Sequence, residues 1–292
     1  MVDHGGVIHR HELTDQEWEL LAPLIPRAAT GRPRTADRQV INGMVYKIRT
    51  GVSWRDLPER YGSWKTVYTR FRRYALDGVF TRALQQIQAR ADAAGDIDWL
   101  VQIDSTIVRA HQHAADTGRN GGSTGDEPDD HALGRSRGGL TTKIHLACDG
   151  KGRPLAVLLT AGQRHDSVCA RPLLERIRVP RTGRGRPRCR PDHVIADKAY
   201  SSRGLRAYLR HRNIAHTIPE KLDQKGHRRN RGPRGGRPPH FDRNTYRQRN
   251  IVERCFNQLK GFRGIATRYD KTATSFEAAV HLASFLLWAR SV

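Results

Sequence analysis

The sequence predicts a mixed α/β chain with an all-helical N-terminal region. Three observations carry this. Helical periodicity with Gly or Pro stops runs as far as Gly95, β-branched texture begins near Asp98, and short apolar strands then alternate with helical segments. In the first helix Thr14 and Asp15 lead Trp18, Leu21, Leu24 and Ile25, and Pro26 stops it. A second starts at Thr35, carries Val40, Ile41, Met44, Val45 and Ile48, and ends at Gly51. After the turn-rich SWRDLPERYG, the stretch SWKTVYTRFRRYAL sets Trp64, Val67, Tyr68, Phe71 and Tyr74 at helical spacing. That leaves Lys65, Thr69, Arg70, Arg72 and Arg73 off the apolar stripe. A further helix from Phe80 to about Ala94 ends at Gly95, where we place the boundary between domains 1–95 and 96–292.

The strand-rich part opens with WLVQIDSTIVRA. LTTKIHLACDGKGRPLAVLLTAG reads as two strands joined at Asp149-Gly150-Lys151-Gly152, a hairpin signal. Asp166 to Ile177 suits a helix with Asp166 as its N-cap, His193 to Ala196 a short strand, Ser201 to Arg212 a helix, and IAHTI another strand. The Gly-rich stretch Thr117 to Gly125 reads as a mobile loop, and His111 and His113 as part of an exposed turn. Two basic stretches, about 180–192 and 221–240, show no core pattern and are expected as loops. They either follow phosphate backbones or are simply solvated.

Charge narrows the class. Across 292 residues, 52 Lys and Arg face 29 Asp and Glu, a formal net charge of +23 that calls for a polyanionic partner, nucleic acid first. The helix of Trp64 to Leu76, apolar on one side and basic on the other, has the pattern of a helix-turn-helix reader, with Lys65, Thr69, Arg72 and Arg73 as candidate DNA contacts. A charged face that is only solvated remains the plain alternative. No apolar leader or bilayer-length run is visible, so a soluble, cytoplasmic, nucleoid-associated protein is expected. Cys148, Cys169, Cys189 and Cys255 lie far apart without a Cys-x-x-Cys pair, which argues against zinc fingers and suits free thiols.

Three acidic residues stand out. Asp104 interrupts a strand pattern, where a carboxylate packs poorly unless it has partners or bonds its own backbone. Asp197 ends the apolar run HVIA, at the strand end where ligands of open α/β sheets gather, although a capping role is also open to it. In YRQRNIVERCFNQLK, Tyr246, Arg249 and Lys260 fall within about 40° of Glu253 on one helical face. Ile251, Val252, Cys255, Leu259 and Phe262 take the opposite arc. An ordinary surface Arg249–Glu253 pair would not need Tyr246 and Lys260 on the same stripe.

In order along the chain, these motifs resemble the bacterial insertion-sequence transposases of the Asp-Asp-Glu (DDE) class. The likeness is greatest to the insertion sequence 5 family, within the 4/5 group that carries the Y-x2-R-x3-E-x6-K signature. LTDQEWELLAPLIP and TGVSWRDLPERYGSWKTVYTRFRRY resemble that family's DNA-binding domain, IDSTIVRAHQHA its first catalytic block, ADKAYSS its second, and Tyr246, Arg249, Glu253 and Lys260 its third. The resemblance implies a ribonuclease-H-like catalytic core behind a small helix-turn-helix domain. It makes Asp104, Asp197 and Glu253 the catalytic residues and the ligands of two Mg²⁺ (or Mn²⁺) ions, and gives Tyr246, Arg249 and Lys260 to DNA phosphates. The implied partners are double-stranded DNA, as terminal inverted repeats and target, and a second copy of the chain. The implied chemistry is strand cleavage followed by 3′-hydroxyl strand transfer. A transposase-derived regulator that binds DNA without cutting it is the alternative. The chain departs from some relatives in having no long β-rich insertion between Asp197 and Glu253.

Overall fold

A computed structural model describes residues 10–26, 36–115, 131–136 and 139–291. The Gly-rich stretch 117–125 lies outside these residues. Helix α1 (Asp15–Leu21) opens with a reciprocal capping box between Thr14 and Glu17 and passes into a 3₁₀ turn over Ala22–Leu24, so the expected first helix is split before Pro26. Helix α2 (Asp37–Thr50) ends where Gly51 takes φ +76°, a left-handed position that a side chain would strain. Residues 51–63 then make two 3₁₀ turns before α3 (Trp64–Leu76), and α4 (Val79–Ala93) follows after Asp77 and Gly78.

The apolar stripe of α3 docks as the periodicity requires: Val67, Phe71 and Tyr74 are buried while Lys65, Thr69, Arg72 and Arg73 are exposed. Arg70 departs from its expected outward position. It is buried and pairs with Asp37 at 2.7 Å, tying α3 to the start of α2.

The remaining elements are β1 (Leu100–Ala110), α5 (Gln112–Ala115), β2 (Gly134–Ser136), β3 (Gly139–Cys148), β4 (Pro154–Ala161), α6 (Asp166–Glu175), β5 (His193–Ile195), α7 (Arg203–His211) and β6 (Ala215–Thr217). After them come α8 (Leu222–Asn230), α9 (Arg243–Arg247), α10 (Asn250–Lys260), α11 (Arg263–Ala266), β7 (Thr267–Arg268) and α12 (Ala273–Ala289). Strand β3 pairs antiparallel with both β4 and β1, and β5 and β6 continue from β1 in parallel. The resulting order, β4-β3-β1-β5-β6, is a three-stranded antiparallel meander extended by two parallel strands, the ribonuclease-H-like arrangement. Short β2 and β7 add to β3 and to the far end of β1.

Two basic stretches differ from the loops expected. Residues 222–230 form α8, and Val179 and Arg188 exchange both backbone hydrogen bonds (2.9 and 2.8 Å) to close a small hairpin. The apolar helix α12 packs on α4, α3 and β4 at once, so the N-terminal helices share one continuous core with the sheet. Buried Trp288 on α12 and Gln88 on α4 both donate to the Pro154 carbonyl at the start of β4, at 2.7 and 3.0 Å. Among the described residues no helix is long and apolar enough to cross a membrane, and all four cysteines are free.

Candidate active site

Sheet register brings the two aspartates together. In the parallel pairing of β1 with β5, Leu100 stands opposite His193 and Gln102 opposite Ile195. The ladder stops there; Asp104 and Asp197 each lie two residues beyond it on the same offset, near enough for the Asp197 charge to act on Asp104. Strand alternation puts Gln102 and Asp104 on one face. That face is the one α10 docks against, because the Gln102 Oε1 accepts the backbone N–H of buried Val252 at 3.1 Å. Both aspartates also make the local bonds open to them from sequence: Asp104 Oδ1 accepts from Ser105 N–H and Asp197 Oδ1 from Ala199 N–H, each at 2.8 Å. Asp197 thereby caps the 3₁₀ turn Lys198–Tyr200, while Ser202 caps α7.

The stretch read as one four-turn helix is two. Helix α9 ends at Arg247, Gln248 and Arg249 turn, and Arg249 becomes the N-cap of α10. Arg249 reaches into the site from this junction. Its Nη1 donates to Asp104 Oδ2 at 3.1 Å and its Nη2 to Glu253 Oε1 at 2.5 Å, so one guanidinium bridges two carboxylates from distant parts of the chain. Val252, Cys255 and Phe256 form a buried arc that docks the helix from behind.

 Leu259 closes that buried arc. Lys260 lies roughly 10 Å beyond Glu253 along α10, at its last residue. Tyr246, on α9, sets its ring 5.2 Å from that of Phe241.

Electrostatics report the same convergence. Burial, with Asp197 and Asp166 nearby, pushes Asp104 up to about 6 against the opposing pull of Ser105 N–H and Arg249. The Tyr246 phenol is pushed up by burial and by Asp197, Asp104 and Glu253, with Arg249 opposing. Burial works against the Arg249 charge, yet Asp104, Glu253, Tyr246 and Asp197 together hold it above the usual guanidinium value. All three carboxylates therefore act on one small region.

A second polar layer lies on the opposite face of β1. Asp166 is not the N-cap of α6, a position held by His165; its carboxylate instead accepts from Ser105 Oγ at 2.7 Å and Lys143 Nζ at 2.9 Å. His145, opposite Ser105 across the ladder, is fully buried, shares a hydrogen bond with Thr160 at 2.9 Å, and is pushed down to about 4 by burial. Sequence reading missed Lys143 and His145. Their signal was available, since both are ionisable residues at alternating positions of a strand with no other charged side chain.

Among the described residues, no three His, Cys, Asp or Glu side chains are grouped closely enough to hold a metal ion. The physical reason is visible at Arg249, whose guanidinium lies between Asp104 and Glu253. The donor set itself suits a hard divalent cation: carboxylate oxygens, with Asp197 near enough to act on Asp104, on a surface where one acid is already unwilling to ionise.

Comparison with known families decides the kinship. A family model described as "Transposase DDE domain" matches residues 97–288, and one described as "Putative transposase of IS4/5 family" matches residues 13–84. The chain belongs to the IS4/5-family DDE transposases. Relatives of this transposase include "Uncharacterized protein y4sN" of Sinorhizobium fredii, 41% identical over 35% of this chain and 80% of that protein. Another is the "Putative transposase for insertion sequence element IS6501" of Brucella ovis, 35% identical over 52% of this chain and all of its own length (100%). A solved structure, "Mos1 transposase paired-end complex with left transposon end", aligns over 81% of this transposase and 82% of that chain at 11% identity, with a TM-score of 0.24.

Proposed function

We propose that this transposase binds the terminal inverted repeats of its own insertion sequence and carries out divalent-metal-dependent strand cleavage and 3′-hydroxyl strand transfer, with Asp104, Asp197 and Glu253 as its catalytic residues. What supports this reading is that Asp104 on β1, Asp197 just past the end of the parallel neighbour β5, and Glu253 on α10 all act on Arg249, which bonds Asp104 and Glu253 directly. Bound there, a pair of Mg²⁺ or Mn²⁺ ions would activate the attacking oxygen and stabilise the leaving one. Asp104, Asp197 and Glu253 would hold them, once Arg249 turns away from the carboxylates.

Arg249 has a second use for its fork. A DNA phosphate offers it bidentate acceptors, so arrival of the element's end draws the guanidinium off Asp104 and Glu253 and onto the backbone. Tyr246 and Lys260 hold neighbouring phosphates, Lys260 as a point charge. Water is the first nucleophile and the freed 3′-hydroxyl the second, so no serine or cysteine intermediate is needed. Residues 1–95 serve as the repeat-binding domain, with Lys65, Thr69, Arg72 and Arg73 on the exposed face of α3 as its DNA contacts, and residues 96–292 as the catalytic domain. Two copies pair on two ends, acting on the nucleoid in the cytoplasm.

Single substitutions Asp104→Ala, Asp197→Ala and Glu253→Ala test the assignment. Each is expected to lower cleavage of end-bearing DNA in Mg²⁺ or Mn²⁺ by at least about a thousandfold while repeat binding persists. Cleavage at wild-type rate in any of the three removes that residue from the site. Repeat binding by the wild type with no nicking in either metal would favour the regulator reading instead.

A further inference from the structure

We propose that the hairpin closed by Val179 and Arg188 is a second DNA-binding surface, a clamp for the phosphate backbone of duplex DNA away from the cleavage site. The proposal rests on the reading of the chain as a DNA-acting enzyme and adds a contact that neither α3 nor the carboxylate site supplies.

The hairpin is built rather than merely basic. Asp92 at the end of α4, its side chain only 4% exposed, accepts from Arg181 at 2.7 Å and from the Trp99 indole at 3.0 Å, and lies 3.7 Å from Arg188. The Arg188 guanidinium stacks 4.0 Å over the Trp99 ring and pairs with Asp192 at 3.0 Å. Two of the hairpin's four arginines thus fasten it to the body of the protein. Arg184, Arg186 and Arg190 remain exposed, and none has a carboxylate within ion-pairing distance among the described residues. Arg184 and Arg186 on the anchored turn and Arg190 two residues past its closure are like charges that repel one another, and phosphates are the partner that relieves this.

Position in the fold defines what the clamp can reach. The hairpin leads into β5 at His193, whereas Asp197 lies beyond the other end of that strand. Four residues of extended chain separate the two by about 13 Å, or about four base-pair steps, so hairpin and carboxylates cannot grip the same phosphate. Arg184 sits between Gly183 and Gly185, the latter at φ +137°, on a turn too short to fill a major groove. Guanidinium groups on such a turn recognise backbone charge without fixing a base sequence, which commits the proposal to sequence-independent contact.

Fluorescence anisotropy of the full chain on two labelled duplexes, one carrying the element's terminal repeat and one scrambled, over a KCl series without divalent metal, tests this. The variant Arg184→Ser/Arg186→Ser/Arg190→Ser is expected to bind both duplexes roughly tenfold or more weakly, with the slope of log K against log[KCl] reduced by up to about 2.7. The matching triple Lys variant should keep the wild-type slope. A charge-matched control, Arg171→Ser/Arg203→Ser/Arg210→Ser on exposed positions of α6 and α7, should change it little. An unchanged slope in the hairpin variant overturns the proposal, as does an equal loss in the control or a loss confined to the repeat duplex. A wild type that binds neither duplex overturns the DNA reading itself, a result distinct from failure of the hairpin alone.

Discussion

Asp104 and His145 sit on opposite faces of the paired strands β1 and β3 and titrate in opposite senses. Unfolded, the Asp104 carboxyl ionises near 3.8; folded, near 6, so between these values the native state holds the proton more tightly and stability falls as pH rises. His145 moves from 6.5 unfolded to about 4 folded, so the unfolded state holds its proton more tightly and stability is lost as pH falls through that window. Each effect is worth on the order of 2–3 kcal/mol, and in the wild type they offset. Asp104→Asn is therefore expected to make the melting temperature rise between pH 4.5 and 6.5 relative to wild type, and His145→Gln to make it fall. Thermal melts across that range check both; parallel profiles for the two variants would refute the opposition. At the same scale, Arg249→Gln leaves Asp104 and Glu253 without their bridging cation. It should tighten Mn²⁺ binding to the DNA-free protein by about tenfold while weakening binding of end DNA, read by electron paramagnetic resonance titration and by anisotropy.

Elements meet where side chains are smallest. Gly264 in α11 lies so close to α2 that an added Cβ would come within 3.0 Å of the Ile48 Cα and carbonyl oxygen and 3.2 Å of the Lys47 carbonyl. Backbone cannot yield as a flexible side chain does, so Gly264→Ala should cost about 1–3 kcal/mol in urea unfolding. Gly183→Ala, with no atom within 4 Å of the added carbon, should change stability by less than about 0.5 kcal/mol. The break between α9 and α10 falls at Arg249, the residue that bonds both Asp104 and Glu253.

At the scale of the molecule, Arg153 fastens three regions. It is 5% exposed, donates to the fully buried Asp149 carboxylate at 2.6 and 2.9 Å and to Asp96 at 2.5 Å, and stacks 4.0 Å over the ring of Trp288. Arg153→Met strands the Asp149 charge in the interior and should cost about 3–5 kcal/mol, with Asp149→Asn added to it restoring part of the loss. Because α12 joins the N-terminal helices to the sheet, denaturant should unfold the two together, in one transition seen alike by Trp fluorescence and far-ultraviolet circular dichroism. Two separated transitions would show that the shared core does not couple them.

Much of this was legible in the chain itself. Apolar periodicity announced α2, α3, α4 and α10, alternation and β-branching announced β1, β3 and β4, and the hairpin at Asp149 followed from its Gly-rich turn, because each depends on neighbours a few residues apart. Asp104, Asp197 and Glu253 were recognisable as unusual for the same local reason. Sequence by itself determined which groups are present and, Arg70 apart, which face of α3 and α10 the apolar and polar ones occupy. Only the tertiary structure decided that Asp104 and Asp197 come near enough to feel each other's charge, that Arg249 reaches a carboxylate 145 residues away, that Asp166 turns to Lys143, and that a basic stretch is pinned by Asp92 and Trp99. Those outcomes depend on strand register and helix docking, which are settled by burial of apolar surface across the whole core rather than by any residue's neighbours in the chain.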